Sequence, residues 1–176
     1  MSDEDRFEDL YRRHRPDVER FVRRRVPPAQ VEDVVADTFL VVWRRLDDAP
    51  DSPRPWLFGI ARRTILSTTR SHGRWEALRV RIASEPHLVD GELASEVASR
   101  ADLLRAWRRL NDGEREVLSL VAWDGLSVRE AAIVLGCQPG TYRVRLLRAR
   151  RHLLHILEHI PLTDFIPAVP LSEGAQ

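Results

Sequence analysis

An all-α fold of two small helical domains joined by a linker is what this chain predicts, on three observations. Apolar residues recur at helical spacings through 7–46 and 56–70 and again from 101 onward, as they do in helices with one buried face. Between 76 and 99 that periodicity fades, and the composition turns from basic to acidic around Pro86, Asp90 and Gly91. Further on, two short helical patterns meet at Gly136-Cys137-Gln138, and the second is loaded with arginine. The expected divisions are a domain at 1–75, a linker at 76–100, a second domain at 101–160 and a proline-containing tail at 161–176. A length of 176 residues suits two small domains or one with a good core.

The first helix is expected over 7–26, where Phe7, Leu10, Tyr11, Val18, Phe21 and Val22 hold helical spacings. Pro16 is a point where it should break or kink. After Pro27-Pro28, residues 31–46 form the most regular helix, with Val31, Val34, Val35, Thr38, Phe39, Val42 and Leu46 in one stripe. Glu32, Asp33 and Asp37 sit near its N-terminus, where the macrodipole favours anions. They fit solvated acids and contacts for a basic partner equally well. The stretch 47–55, DDAPDSPRP, is a loop by its prolines. In the helix behind it, Trp56, Leu57, Ile60, Ala61, Thr64 and Ile65 face inward, while Arg62, Arg63, Arg70 and Arg74 remain outside. Aromatic and basic residues gathered in this way suit single-stranded DNA, because bases stack on aromatic rings while arginines follow phosphates. The plain alternative makes Trp56 a core anchor.

The second domain opens with the stripe Leu103, Leu104, Trp107 and Leu110. Asn111 and Glu114 then cap a helix carrying Val117, Leu118, Leu120 and Val121, which stops at Gly125. Ser127 and Glu130 form a capping box, each satisfying a backbone N–H left free at the helix start. Gly136 can take the left-handed conformation that ends this helix, and Pro139 restarts the chain as a first-turn residue. Tyr142, Leu146, Ala149 and Leu153 recur at i, i+4, i+7 and i+11 as a buried stripe. The opposite face carries Gln138, Thr141, Arg145, Arg148 and His152, flanked by Arg143, Arg150 and Arg151, with no acid between Thr141 and His152. Such a helix, braced by a shorter one across a tight turn, has the geometry that enters a DNA major groove. The alternative is a solvated basic face on an ordinary helical hairpin.

The net charge of +1 would not by itself point to nucleic acid. All 28 basic residues are arginine, however, and they are segregated: 54–81 holds seven against the single acid Glu76, and 82–98 holds four acids and no arginine. Cys137 is the only cysteine, which excludes an intrachain disulfide and a cysteine metal cluster. No apolar run approaches a membrane span and the start, MSDEDRFEDL, is acidic, so a cytoplasmic protein is expected. His152, His155 and His159 could face one way, but no second shell for a metal is evident. No nucleotide loop, nucleophile–base pair or metal signature is found, so neither a cofactor nor enzyme activity is expected.

Three strings carry a resemblance. VEDVVADTFLVVWRRL resembles the second conserved stretch of sigma region 2, PWLFGIARRTILSTTR resembles the promoter-reading helix of that region, and LNDGEREVLSLVAWDGLSVREAAIVLGCQPGTYRVRLLRARRHL resembles region 4. In their order and spacing they are similar to the extracytoplasmic-function sigma factors, the smallest group of the bacterial sigma-70 family. The resemblance implies a protein that binds core RNA polymerase, carries it to promoter DNA and helps open the duplex. It places Asp33, Asp37, Phe39 and Trp43 in the segment that docks the β′ clamp, and Arg54, Trp56, Arg62, Arg63 and Arg70 at the minus-ten element. It places Gln138, Thr141, Tyr142, Arg143, Arg145 and Arg148 at the minus-thirty-five element, with the apolar surface of the same domain holding the β flap. An anti-sigma factor is a further possible partner on this analogy. The sequence departs from the family's common pattern at Ala36, Arg63, Ser67, Tyr142 and Val144, where glutamine, asparagine, aspartate, valine and serine are usual. A stand-alone helix-turn-helix regulator would account for the second domain but leave the proline loop and the basic aromatic helix unexplained. A polymerase-binding adaptor without promoter recognition is the third reading.

Overall fold

The structure is a computed structural model that describes residues 2–71 and 93–159, with side chains for 2–68 and 101–159. The expected tail, most of the expected linker and Arg74 lie outside the described residues. Seven α-helices are described: α1 (Asp3–Arg23), α2 (Val31–Arg44), α3 (Arg54–Ser71), α4 (Leu93–Arg109), α5 (Asp112–Ala122), α6 (Val128–Leu135) and α7 (Pro139–Glu158). Short 3-10 turns at Pro28–Gln30 and Leu46–Asp48 flank α2.

Three of the described helices start on a capping box. Ser2 and Asp5 form a capping box on α1, as Asn111 and Glu114 do on α5 and Ser127 and Glu130 on α6. α1 runs unbroken through Pro16, against the expected interruption. The fully buried Val18, Phe21 and Val22 in the following turns hold it in place, and tertiary packing of this kind outweighs the hydrogen bond that proline forfeits. α4 begins at Leu93, inside the stretch expected as linker. No glycine or proline interrupts the chain between Leu93 and Arg109, so nothing in that stretch breaks a helix.

α1, α2 and α3 pack against one another, and α7 is seated on α4, α5 and α6. The two groups are not separate. α3 lies directly on α6, where Gly59 brings the backbones together: a Cβ at Gly59 would stand 3.7 Å from Val134 Cα. One continuous apolar core results, running from Val18, Phe21 and Phe58 through Ile60 and Ile65 to Leu120, Val134 and Tyr142. Phe21 and Phe58 stack with ring centroids 4.5 Å apart.

Candidate nucleic-acid and polymerase interfaces

α7 meets the chain on one side only. Tyr142, Leu146, Ala149 and Ile156 are buried against the shorter helices, while Gln138, Thr141, Arg143, Arg145 and Arg148 are exposed. The turn before α7 is fixed by Gly136, whose φ of +63° is costly for residues with a Cβ. The Cys137 N–H reaches back to the Ala132 carbonyl at 3.0 Å, closing the end of α6. Among the described residues, no hydrogen bond or ion pair holds Arg143, Arg145 or Arg148. Their guanidinium groups are left to solvent, as a groove-facing surface requires. Val144 and Leu147 are each 48% exposed on the same helix.

Tyr142 does not belong to that outer face. Its side chain has 0% exposure and its hydroxyl donates to the Val117 carbonyl at 2.7 Å, and burial pushes the phenol above its ordinary pKa. Tyr142 therefore sets the seat of α7 on α5, and the assignment to the minus-thirty-five contact is corrected. The i, i+4, i+7 spacing had already put it on the buried stripe. His152 is exposed and its Nδ1 lies 2.9 Å from Glu114 Oε1; it is not grouped with His155 and His159. Those two and Glu158, all exposed, bring possible ligand atoms within 4.8 Å of one another.

α3 presents a different picture. Leu57, Phe58, Ile60, Ala61 and Ile65 are buried and Trp56 is half-buried against the core. Arg63 is exposed. Arg62 instead makes a two-pronged pair with Glu116 of α5, Nε to Oε1 at 2.6 Å and Nη2 to Oε2 at 3.0 Å. Arg54 holds Asp17 Oδ2 at 3.1 Å and donates to the Asp124 carbonyl at 2.8 Å. The Arg70 side chain lies outside the described residues.

On α2, Asp33 and Asp37 are exposed, and Trp43 is 43% exposed beside Phe7. Phe39 is buried under the Tyr11 ring, centroids 4.7 Å apart. Its placement at the polymerase contact is therefore corrected; it supports that face from beneath. Leu40, 54% exposed, was missed. Its signal was in the sequence: Asp33, Asp37 and Leu40 fall at i, i+4 and i+7, opposite the buried stripe.

Sigma-70 region 2 matches residues 10–74 and sigma-70 region 4 matches residues 100–153. The RNA polymerase sigma factor CnrH of Cupriavidus metallidurans is 37% identical over 149 residues, covering 76% of each chain. The ECF RNA polymerase sigma factor SigC of Mycobacterium tuberculosis is 35% identical over 152 residues, covering 84% of this chain and 80% of its own. The chain belongs to the extracytoplasmic-function sigma factors. Sigma factors of the sigma-70 family direct RNA polymerase to promoters and initiate transcription, and this is the function of the chain.

Two solved sigma factors share the fold. CnrH in complex with the cytosolic domain of CnrY superposes with a TM-score of 0.57 at 31% identity, over 86% of this chain and 87% of that one. RpoE from Bartonella quintana in complex with the anti-sigma factor NepR superposes with a TM-score of 0.61 at 25% identity, over 88% and 98%. In this sigma factor the region 2 match takes in α1 from Leu10 onward with α2 and α3, and the region 4 match takes in α4 from Arg100 onward, all of α5 and α6, and α7 up to Leu153. No described helix is long and apolar enough to cross a membrane.

Proposed function

We propose a division of labour among three faces of this sigma factor. The outer face of α7 reads the minus-thirty-five duplex, with Gln138, Thr141 and Arg145 at base edges and Arg143 and Arg148 on phosphates. The exposed arginine row, free of internal partners, carries this reading. Val144 stands between Arg143 and Arg145 and brings a methyl-bearing surface in place of a polar contact, which suits a thymine methyl. α3 with its preceding loop captures the unpaired minus-ten strand through Arg54, Trp56, Arg62 and Arg63. The α2 face of Asp33, Asp37, Leu40 and Trp43 docks the β′ clamp, where a solvent-exposed apolar pair ringed by acids offers both buried area and charge. The apolar surface of region 4 holds the β flap. The protein works in the cytoplasm and carries out no covalent step; melting is driven by capture of unstacked bases. An anti-sigma factor is a fitting partner, as in the complexes of CnrH with CnrY and of RpoE with NepR.

The test is Asp33→Arg in the full chain. Binding to core polymerase, read by pull-down and run-off transcription, should fall sharply while minus-thirty-five duplex binding is retained. Normal core binding by the variant would remove α2 from the docking face.

A further inference from the structure

α7 runs past the end of the region 4 match. The match stops at Leu153, whereas the helix continues to Glu158 and His159 caps it. Two histidines and one glutamate occupy this last turn, and neither promoter reading nor polymerase docking uses them. His155 and His159 stand at i and i+4 with Glu158 at i+3, so all three project from one side of the helix. Two histidines at that spacing on a helix can place both imidazoles on one zinc ion. Their rings lie side by side, centroids 4.3 Å apart, and one ligand atom from each of the three residues lies within 4.8 Å of the others.

The way the His159 ring is held is a second, independent observation. Its Nδ1 lies 2.7 Å from the His155 carbonyl oxygen. A carbonyl can only accept, so Nδ1 carries the proton and the lone pair of the ring is left on Nε2. Metal-binding histidines are held in this manner: the nitrogen away from the ion donates to a backbone carbonyl or a carboxylate, which fixes the tautomer and the ring plane. Side-chain spacing in the sequence could not show this outer partner, because it is a main-chain atom. Among the described residues, no hydrogen bond or ion pair engages the His155 ring or the Glu158 carboxylate. Electrostatics favours a cation at the same place, since the carbonyl end of this 20-residue helix is the negative pole of its macrodipole.

We infer that the last turn of α7 is a binding site for a divalent transition metal of the zinc type, held by His159 Nε2, a ring nitrogen of His155 and a Glu158 carboxylate oxygen. Ligand atoms ~2.0–2.1 Å from a tetrahedral zinc stand about 3.4 Å from one another, so the three exposed side chains close on the ion by rotating about their own bonds. Two imidazoles and one carboxylate select zinc over magnesium or calcium, which take oxygen ligands. Three protein ligands leave one position of a tetrahedral ion to water, and the turn is open to solvent. The ion is therefore exchangeable, and when bound it clamps the end of α7 across i and i+4.

Calorimetric titration of the full chain with Zn2+ tests the site. One equivalent should bind, and Mg2+ should neither bind nor compete. His155→Ala and His159→Ala should each weaken Zn2+ binding at least ~10-fold, since loss of an outer partner alone costs that much, with helical content unchanged by circular dichroism. His152→Ala, whose ring is taken by Glu114, should bind as wild type. In long-range 1H–15N spectra of the histidine rings, His159 should show a protonated Nδ1 before Zn2+ is added, and its Nε2 resonance should move on addition. No binding by the wild type, wild-type affinity in the His155 and His159 variants, or a loss in His152→Ala as large as theirs overturns the site. So does a shift confined to His159 Nδ1.

Discussion

α3 and α7 are arginine-bearing helices of similar length, 18 and 20 residues, yet they treat their arginines differently. α7 lies against α4, α5 and α6 on one side and shows Arg143, Arg145 and Arg148 to solvent. α3 is packed by α1, α2 and α6, so the rim of its apolar face is an internal seam, and Arg54 and Arg62 find acids and carbonyls there. The difference teaches that a basic helix is available to DNA only as far as its flanks are unoccupied. The arginines of α7 face solvent, and Arg54 and Arg62 of α3 are paired within the chain.

The hardest test of that contrast is Asp124→Ala. It strands the buried Arg25 guanidinium, 2.6 Å from the Asp124 carboxylate, and removing one member of a buried pair costs about 3–5 kcal/mol. The chain can shed the cost by parting at the seam, so urea denaturation should show an early transition, while duplex binding by α7 stays unchanged. A single transition at the wild-type midpoint would mean that the seam contributes nothing. Next in size, Arg145→Ala should weaken minus-thirty-five duplex binding by about 1–3 kcal/mol and relax base preference, measured by titration against a panel of single-base variants. Unchanged preference would take Arg145 out of the groove.

Tyr142→Phe sharpens the distinction between the two sides of α7. It deletes the hydroxyl bonded to the Val117 carbonyl, so thermal melting should register a loss of about 1 kcal/mol with base preference intact. A changed preference would return Tyr142 to the DNA face. The smallest effect is expected at Ser127→Ala, which removes the N-cap of α6 and costs about 1 kcal/mol. The Glu130 carboxyl is held below its ordinary value of 4.5, first by the Ser127 side chain and then by its backbone N–H. A depressed carboxyl stabilises the fold above its unfolded pKa and loses that contribution as pH falls through the folded one. The difference between wild type and Ser127→Ala should therefore shrink in acid, and melts at falling pH would reveal a constant gap if it does not.

Much of this was legible in the sequence wherever one side of a helix is buried and the other is not. The stripes from Tyr142 to Leu153 and from Val31 to Leu46 are local patterns; the second placed its buried residues correctly, while the first placed Tyr142, Leu146 and Ala149, with Leu153 only half-buried and Ile156 missed. Phe39 and Tyr142 were assigned to surfaces because the family resemblance pointed there, although their own spacing put them inside. The capping boxes at Asn111 and Ser127 were equally readable, being contained within four residues. The seam was not. Arg25 and Asp124 are 99 residues apart, and two charges at such a distance leave no periodicity to detect. Nothing local marks Gly59, and only the α6 backbone opposite explains it.

Arg25 keeps one nitrogen unanswered: its Nε is buried without a hydrogen-bond partner. Hydration of charged groups grows less favourable as temperature rises, so burying this guanidinium is costliest in the cold. The apolar contact of α3 with α6 weakens on cooling as well. Both effects act in one direction, so below its melting point the molecule should carry a thermometer at its centre, with warmth holding α3 on α6 and chill loosening them. Disulfide formation in a Gly59→Cys, Val134→Cys, Cys137→Ser variant through a temperature series reads that response directly, and a cross-linked fraction that rises on cooling would contradict it.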